Sequence, residues 1–233
     1  MVGKIKCTVL SSDPHSNQMV NTFWTDLDAR KTFRVLDRKR LVKQVLEAVQ
    51  LINVIGDIHW LAIHYQLPLL RWQDVSLIRR TYLEDEVYLV CDKMYGWSRS
   101  HLGYEGDSDS EEVKVQGRQL IPKVQQPNTH QRVSKCGYWN HPATKMWLFH
   151  LQALMHYFNL ARSELVWRGT QHKYPPIRDL PTQIQWPRWC TDPNVINSHR
   201  SSLVNKEPQY YLSRFGSLVW NGYIWPEDHP EED

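Results

Sequence analysis

Cysteine pairs and long apolar runs are both missing from this chain of 233 residues. Its four cysteines are scattered and form no C-x-x-C pair, so neither a zinc cluster nor a dense disulfide framework is expected. We expect free thiols in a reducing intracellular compartment, cytoplasmic or nuclear. No segment reaches the roughly 20 consecutive apolar residues of a membrane span, and no apolar run follows Lys4 and Lys6 as in a secretory signal. We therefore expect no membrane partner.

Several catalytic signatures are missing as well. The sequence contains neither glycine-rich phosphate-binding pattern, G-x-G-x-x-G or G-x-x-x-x-G-K-[S/T]. It also contains no H-E-x-x-H and no G-x-S-x-G. Metal catalysis and serine hydrolysis thus have no direct support, and we expect neither a metal ion nor an organic cofactor.

Aromatic residues are abundant by contrast, with 11 Trp and 11 Tyr, which argues against wholesale disorder. The net charge of +3 conceals a division along the chain. Residues 84–112 hold nine acidic and two basic side chains, a net −7, so the remainder carries +10. A basic body with acidic appendages fits a polyanionic partner, although an ordinary solvated surface has the same composition.

Composition also suggests how the chain is organised. Turn-forming residues mark 1–20 as an N-terminal extension that forms either a short strand or a plain arm. A single domain follows at 21–226, with an inserted region of loops and short strands at about 81–135. Within that insertion, 106–112 has the composition of a mobile loop. An acidic tail occupies 227–233.

Two long helices are predicted to form the core of this mainly α, compact domain. Apolar residues recur every three or four positions from Leu41 to Ile52, which predicts an amphipathic helix ending near Gly56. A second helix is predicted to begin at Pro142, since proline is tolerated in the first turn, and to stop at Gly169.

Four polar residues near the start of the first helix share one of its faces. They stand at spacings of i, i+3, i+4 and i+7: Arg40, Lys43, Gln44 and Glu47. A carboxylate beside two cations and an amide on a rigid helix is suited to acid/base catalysis. The alternative is a set of ordinary ion pairs on a solvated helix face.

A second polar group precedes the second helix. Asn140 and His141 stand at its predicted start, where free backbone N–H groups attract phosphate. The neighbouring rings of Tyr138 and Trp139 are candidates for stacking on bases. The alternative is a capped helix start with buried aromatic residues.

A third group combines small hydroxyls, an imidazole and cations. It comprises the segment Asn197-Ser198-His199-Arg200-Ser201-Ser202 with Lys206. Such side chains are suited to binding phosphate. The alternative is a helix cap followed by exposed residues.

Together these groups resemble the pyrimidine-dimer DNA glycosylase family of the endonuclease V type. Five motifs occur in the order found in one branch of that family: Asn21-Thr22-Phe23; Leu36-Asp37-Arg38-Lys39-Arg40-Leu41-Val42-Lys43-Gln44 with Glu47; Trp139-Asn140-His141-Pro142-Ala143 with Lys145-Met146-Trp147; Ser198-His199-Arg200-Ser201-Ser202-Leu203; and Tyr223-Ile224-Trp225-Pro226. The resemblance covers roughly 21–55, 137–169 and 195–226.

The resemblance implies a compact helical fold and a base-excision DNA-repair enzyme. Such an enzyme flips a damaged or modified pyrimidine out of double-stranded DNA, cleaves its glycosidic bond as a hydrolase, and nicks the strand as an AP lyase or endonuclease. In the family, the α-amine of the processed N-terminus attacks the sugar and a helix glutamate supports the chemistry. Here the amine would belong to Asn21 and the carboxylate to Glu47. The candidate DNA contacts are Arg38, Arg40, Gln44, Asn140, His141, Lys145, His199 and Arg200.

The chain departs from the family pattern at two places. Family members begin just before the N-T-F segment, whereas 18 residues precede Met19 here, and the acidic insertion is the other departure. With the extension attached, the nitrogen of Asn21 is an amide and cannot attack. Translation from Met19, proteolysis, or an amine supplied by Lys43 would each restore the chemistry. The alternative is a non-catalytic nucleic-acid-binding or structural derivative of the same fold.

Overall fold

The computed structural model describes residues 7–9, 22–84, 87–91, 118–122, 139–170, 174–219 and 222–226. In chain order, the elements of these segments are β1 (Cys7–Val9), α1 (Ala29–Arg34), α2 (Arg38–His64), α3 (Trp72–Glu84), β2 (Val87–Cys91), β3 (Arg118–Pro122), α4 (Pro142–Trp147), α5 (Leu151–Trp167), a 3-10 helix (Arg188–Thr191), α6 (Pro193–Lys206), α7 (Pro208–Phe215) and β4 (Ile224–Pro226). The predicted mainly α fold is confirmed.

Helix α2 is the central element of the core. Asp37 caps its N-terminus by accepting a hydrogen bond from the Arg40 N–H group at 3.0 Å. The apolar stripe that predicted the helix is buried from Leu41 through Ala48 to Ile52, and α2 packs mainly along α5. Its most apolar window has the length and composition of a membrane span. That window is 67% buried inside the protein, as in the core helix of a globular domain.

The end of α2 differs from the sequence prediction. The helix does not stop near Gly56 but runs on to His64. Gly56 lies buried inside it, and the next turns bury Ile58 and Leu61 against the core. The low helix propensity of one glycine, about 1 kcal/mol, is outweighed by that burial.

The second predicted helix is divided into two, α4 and α5. The break at 148–150 coincides with a contact to α2, because His59 Nε2 donates to the Leu148 carbonyl oxygen at 2.7 Å. The predicted start and stop are confirmed. Pro142 occupies the first turn of α4, and Gly169 follows α5 with φ +77°.

Two antiparallel strand pairs accompany the helices. In the first, β1 pairs with β4, placing Cys7 opposite Pro226 and Val9 opposite Ile224. The extension therefore contains a strand, one of its two expected forms. In the second, β2 pairs with β3 inside the predicted insertion. The predicted mobile stretch 106–112 and the acidic tail lie outside the described residues, and the domain boundaries stay a prediction.

Arg168, at the C-terminal end of α5, and Asn159 of α5 each hydrogen-bond a neighbouring segment of the chain. The Arg168 guanidinium donates to the carbonyl oxygens of Phe33, Arg34 and Leu36 at 2.6–3.0 Å, at the end of α1. The Asn159 side chain pairs with the backbone of Ile177. Since the first of these clamps lies directly before α2, it fixes the polar start of that helix.

Candidate active site

The segment that follows Asn21 lies buried among the helices. Asn21 itself is outside the described residues. Thr22 is fully buried: its hydroxyl accepts a hydrogen bond from Trp147 Nε1 at 2.8 Å, and its carbonyl accepts one from the Tyr223 hydroxyl at 2.8 Å. These contacts hold the segment between α4 and the strand β4.

Gln44 joins this segment to α2. Its Oε1 atom accepts from the Phe23 N–H group at 2.8 Å and from the Tyr157 hydroxyl at 2.6 Å. Because both partners are donors, the orientation of the amide is fixed. Gln44 Nε2 therefore points to Glu47 Oε2, at 3.3 Å. Gln44, which was expected to contact DNA, is fully buried, and its side chain hydrogen-bonds Phe23 and Glu47.

Glu47 is the buried carboxylate of this network, with 3% of its surface exposed. Its Oε1 atom lies 3.3 Å from the Lys43 Nζ atom, and the Lys43 side chain is 48% exposed. Burial raises the pKa of Tyr223 well above its usual value, and the negative charge of Glu47 raises it further. That phenol therefore stays neutral and able to donate.

Lys206, the last residue of α6, was not among the principal site candidates. Its Nζ atom lies 5.4 Å from the centroid of the Phe23 ring. The side chain is exposed at the surface, and partial loss of hydration lowers its pKa to about 8. The charges of Lys43 and Arg40 contribute to that lowering, whereas Glu47 opposes it.

His199 lies seven residues before Lys206 on α6. This spacing places both side chains on one face of the helix, and it is the feature of the sequence that could have linked Lys206 to His199. It was expected to contact DNA, but it is fully buried. Its Nδ1 atom accepts from the Trp24 N–H group at 2.9 Å, so Nε2 carries the proton and points to the Ile224 carbonyl at 3.4 Å. Burial lowers the pKa of His199 to about 3. The imidazole thus holds the backbone of Trp24 and Ile224 in place.

Two arginines expected at the DNA interface are engaged by the protein. Arg200 Nε donates to the Thr25 carbonyl at 2.7 Å, which braces the far end of the buried segment. Arg40 Nη1 lies 2.7 Å from Asp37 Oδ2, and its guanidinium packs over the Tyr211 ring. Arg40 therefore belongs to the cap of α2, although its charge reaches Lys206.

The second sequence motif forms a helix cap, which was its alternative interpretation. His141 Nδ1 accepts from the Ala143 N–H group at 3.1 Å, and burial lowers the pKa of the imidazole. Trp139 is fully buried, so it does not present a ring for base stacking, and Tyr138 lies outside the described residues. The His141 ring packs edge-on against Trp225.

Asn140 is exposed beside this cap, as a DNA contact would be. Lys145 is half-buried, with its Nζ atom 4.9 Å from the centroid of the Trp72 ring. The cations that face solvent nearest to Glu47 in the sequence of α2 are Arg38, Lys39 and Lys43. Among the described residues, no group of three His, Cys, Asp or Glu side chains is arranged to hold a metal ion.

The arrangement therefore combines a buried carboxylate with two lysine amines and a firmly held segment of backbone. A model of the pyrimidine dimer DNA glycosylase family matches residues 20–177, which is more than half of the chain. No curated protein and no solved structure matched the chain. The matched range contains Glu47 and Lys43 but ends before α6, so His199, Arg200 and Lys206 lie beyond it.

Proposed function

The chain belongs to the pyrimidine dimer DNA glycosylase family, and from this membership we propose that it excises damaged pyrimidines from double-stranded DNA and nicks the strand through an imine. The observation that carries the proposal is the position of Glu47. Its carboxylate is buried, held by Gln44 and Lys43, and linked through Gln44 to the Thr22–Phe23 segment. In enzymes of this family the reacting amine is expected to lie beside such a carboxylate.

The chemistry needs an amine and a proton-transfer group in fixed positions. The amine attacks C1′ of the flipped nucleotide, and the base leaves. A carboxylate then assists the proton transfers that open the sugar and eliminate the 3′ phosphate. Gln44 and Lys43 hold Glu47 from two sides, which supplies the fixed geometry that such catalysis requires.

Binding to DNA would depend mainly on charge. Arg38, Lys39 and Lys43 are exposed along the first turns of α2, on the helix that carries Glu47. Such cations neutralise backbone phosphates and release counterions, which gives affinity without sequence preference. An enzyme that finds rare lesions in long DNA needs binding of this kind.

The experiment compares Glu47→Gln with Asp179→Asn on ultraviolet-irradiated duplex DNA. Asp179 is exposed and has a positive φ that asparagine tolerates, so its variant controls for the loss of one carboxylate. We expect Glu47→Gln to bind DNA and keep its melting temperature but lose nicking. We expect Asp179→Asn to nick as the wild type does. Wild-type nicking by Glu47→Gln would remove Glu47 from the mechanism.

A non-catalytic DNA-binding protein is the second candidate, and the strand β1 favours it. Because β1 pairs with β4, the extension is anchored beside Tyr223, whose hydroxyl holds Thr22. With the extension attached, the Asn21 nitrogen is an amide. A chain beginning at Asn21 should then nick irradiated duplex while the full chain only binds it. Equal nicking by both forms would exclude this candidate.

A further inference from the structure

We infer that the indole ring of Trp167, the last residue of α5, stacks on bases of the DNA duplex at some distance from the damaged nucleotide. Trp167 belongs to none of the five sequence motifs and was not among the candidate DNA contacts. The inference rests on the proposed function for its choice of DNA as the partner and for the position of the damaged nucleotide. No step of the reaction is assigned to the ring.

The first observation is the exposure of this ring. Trp167 is 81% exposed, and its neighbour Val166 is 45% exposed. By contrast, four tryptophans are almost fully buried in the core: Trp24, Trp139, Trp147 and Trp189. Tryptophan is enriched at binding surfaces, because its large ring loses contact with water when a partner covers it. Single exposed apolar side chains are also common on proteins, so the kind of partner follows from the surroundings of the ring.

The second observation is the position of Trp167 beside the junction of α1 and α2. The next residue, Arg168, donates from its guanidinium to the carbonyl oxygens of Phe33, Arg34 and Leu36 at 2.6–3.0 Å. The backbone of Trp167 therefore lies within the length of one arginine side chain of the segment that leads into α2. The exposed ring is thus next to the polar start of the helix that carries Glu47.

The third observation is the charge of this junction. Arg34, Arg38 and Lys39 are exposed there, and none of the three forms an ion pair with a described residue. Arg38 and Lys39 occupy the first turn of α2, which contains no acidic residue. Positive charges are unfavourable at this end of a helix, where the macrodipole is positive. Cations kept there at a cost in stability are typical of a site that binds anions.

The acidic side chains of the junction are engaged within the protein. Asp37 lies 2.7 Å from Arg40 Nη1, and Glu164 lies 2.8 Å from Arg168 Nε. The charge that a partner meets beside Trp167 is therefore positive. An acidic protein segment would match these cations alone. DNA also offers flat aromatic bases between its phosphates, and base stacking on an exposed aromatic ring adds affinity that charge does not supply.

The position of Glu47 indicates where on the duplex the ring acts. Arg38 and Glu47 are nine residues apart on α2, which is roughly 14 Å along the helix axis. With a rise of 3.4 Å per base pair, this length corresponds to about four base pairs. A duplex that reacts at Glu47 and follows the exposed cations towards Arg38 therefore reaches Trp167 about four to five base pairs from the damaged nucleotide. A ring inserted there partly unstacks the base step and bends the duplex.

The test uses the full chain and short duplexes that contain one thymine dimer. Each duplex also carries the fluorescent base 2-aminopurine at a different position on either side of the dimer. The fluorescence of this base depends on its stacking, so it reports a ring inserted at its own step. We expect binding of the wild type to change the fluorescence about four to five base pairs from the dimer. Trp167→Ala should leave the fluorescence at that position nearly unchanged.

Affinity provides a second readout. Trp167→Ala should weaken binding by about 10-fold, whereas Trp167→Phe should keep part of the affinity. The slope of log affinity against log salt should not change, because no charge is removed. The matched control is Ile63→Ala, since Ile63 is a 78% exposed apolar residue at the other end of α2, and it should bind as the wild type does.

Two results would overturn the inference. One is fluorescence that the wild type leaves unchanged at every position away from the dimer, and the other is equal affinity of Trp167→Ala and Ile63→Ala. If Trp167→Ala bound DNA normally but sedimented as a smaller species than the wild type, a second copy of this chain would cover the ring, and the inference would also be wrong.

Nicking of the same duplexes separates this inference from the proposed function. A wild-type chain that changes the fluorescence but does not nick would overturn the proposed reaction and leave the role of Trp167 standing. Nicking without the fluorescence change would overturn the role of Trp167 alone. A chain that does not bind the duplex would overturn both.

Discussion

Asp37 and Glu47 are carboxylates of the same helix region, ten residues apart, yet their surroundings differ in kind. Asp37 accepts hydrogen bonds from the Tyr211 hydroxyl at 2.6 Å, from Arg40 Nη1 at 2.7 Å and from the Arg40 backbone N–H group at 3.0 Å. Burial raises the pKa of Asp37, but these hydrogen bonds outweigh burial and the pKa falls below its usual value. Short, charge-assisted bonds therefore favour the charged form of this carboxylate.

Glu47 is more deeply buried, and its contacts with Gln44 and Lys43 are longer than those of Asp37. Gln44 Nε2 and Lys43 Nζ each lie 3.3 Å from its oxygens. The difference supports the proposal that Asp37 stabilises the start of the helix whereas Glu47 takes part in the chemistry. The first has short bonds from groups fixed by the fold. The second faces a lysine that remains half exposed, and a substrate can change its contacts.

The largest expected effect comes from removing the charge of each carboxylate in turn. Asp37→Asn should lower the free energy of unfolding by about 1–3 kcal/mol, because Arg40 and Tyr211 lose a charged acceptor, with nicking little changed. Glu47→Gln should leave stability nearly unchanged and lower the nicking rate by ~100-fold or more. Urea titration and single-turnover nicking measure the two effects. A loss of nicking by the folded Asp37 variant would contradict the division.

A second prediction concerns the pH dependence of stability in the buried segment that leads to Glu47, where His199 binds the backbone of Trp24. With a folded pKa of about 3 against about 6.5 unfolded, His199 stabilises the protein above pH 6.5 and progressively less as the pH falls towards 3. Between pH 7.5 and pH 5 the loss is about 2 kcal/mol. His199→Asn keeps an acceptor for Trp24 but does not titrate.

The measurement for His199 is the urea midpoint at both pH values. The variant should be less stable than the wild type at pH 7.5, because the smaller side chain leaves a cavity. Its further loss of stability on going to pH 5 should be smaller than that of the wild type by about 2 kcal/mol. An equal loss in both proteins would mean that the imidazole is protonated inside the fold.

Sequence patterns predicted the local structure of this region but not its tertiary contacts. The Asp37 cap and the buried stripe from Leu41 to Ile52 follow from neighbouring residues, so spacing alone predicts them. The burial of Gln44 and His199 depends on Phe23 and Trp24, which reach them from another part of the chain. Polar residues that bind a distant backbone segment have the same local pattern as polar residues on a surface.

The same distinction applies to the position of Lys206 beside Phe23. Its sequence neighbours suggested phosphate binding, and nothing local relates the end of α6 to Glu47 on α2. The continuation of α2 through Gly56 and the break before α5 are further examples, since packing against other helices decides both. The family motifs indicated a region of the fold, and the tertiary structure assigns the contacts within it.

A smaller loss of stability is expected when Asp37 loses one of its hydrogen-bond donors. Tyr211→Phe removes the hydroxyl that donates to Asp37 Oδ2 at 2.6 Å and accepts from the Asp37 N–H group at 3.1 Å. We expect a loss of about 1 kcal/mol at pH 7. The stabilising effect of the lowered Asp37 pKa is present above about pH 3.9 and is lost as the pH falls through the folded pKa.

The gap between wild type and Tyr211→Phe should therefore narrow at about pH 3 without closing, because the Asp37 N–H group still lacks its acceptor. Urea midpoints at neutral and acid pH give the comparison. Nicking should be unchanged, since Tyr211 contacts the helix cap and not the Glu47 network. A gap that widens in acid would contradict the assignment of Asp37 as the charged partner.

The smallest effect concerns the exposed cations on the first turns of α2, between the two carboxylates. Arg38 is exposed, whereas Arg40 is committed to Asp37. Arg38→Ala should lower the slope of log affinity against log salt by ~0.9 for each phosphate that the variant no longer neutralises, with equal effects on damaged and undamaged duplex. Fluorescence anisotropy at several salt concentrations measures the slope, and Lys31→Ala on α1 is the matched control. If Arg38→Ala weakened binding to damaged duplex alone, Arg38 would contact the lesion and not the backbone. The proposed active site would then extend from Glu47 towards the start of α2, where Asp37 caps the helix.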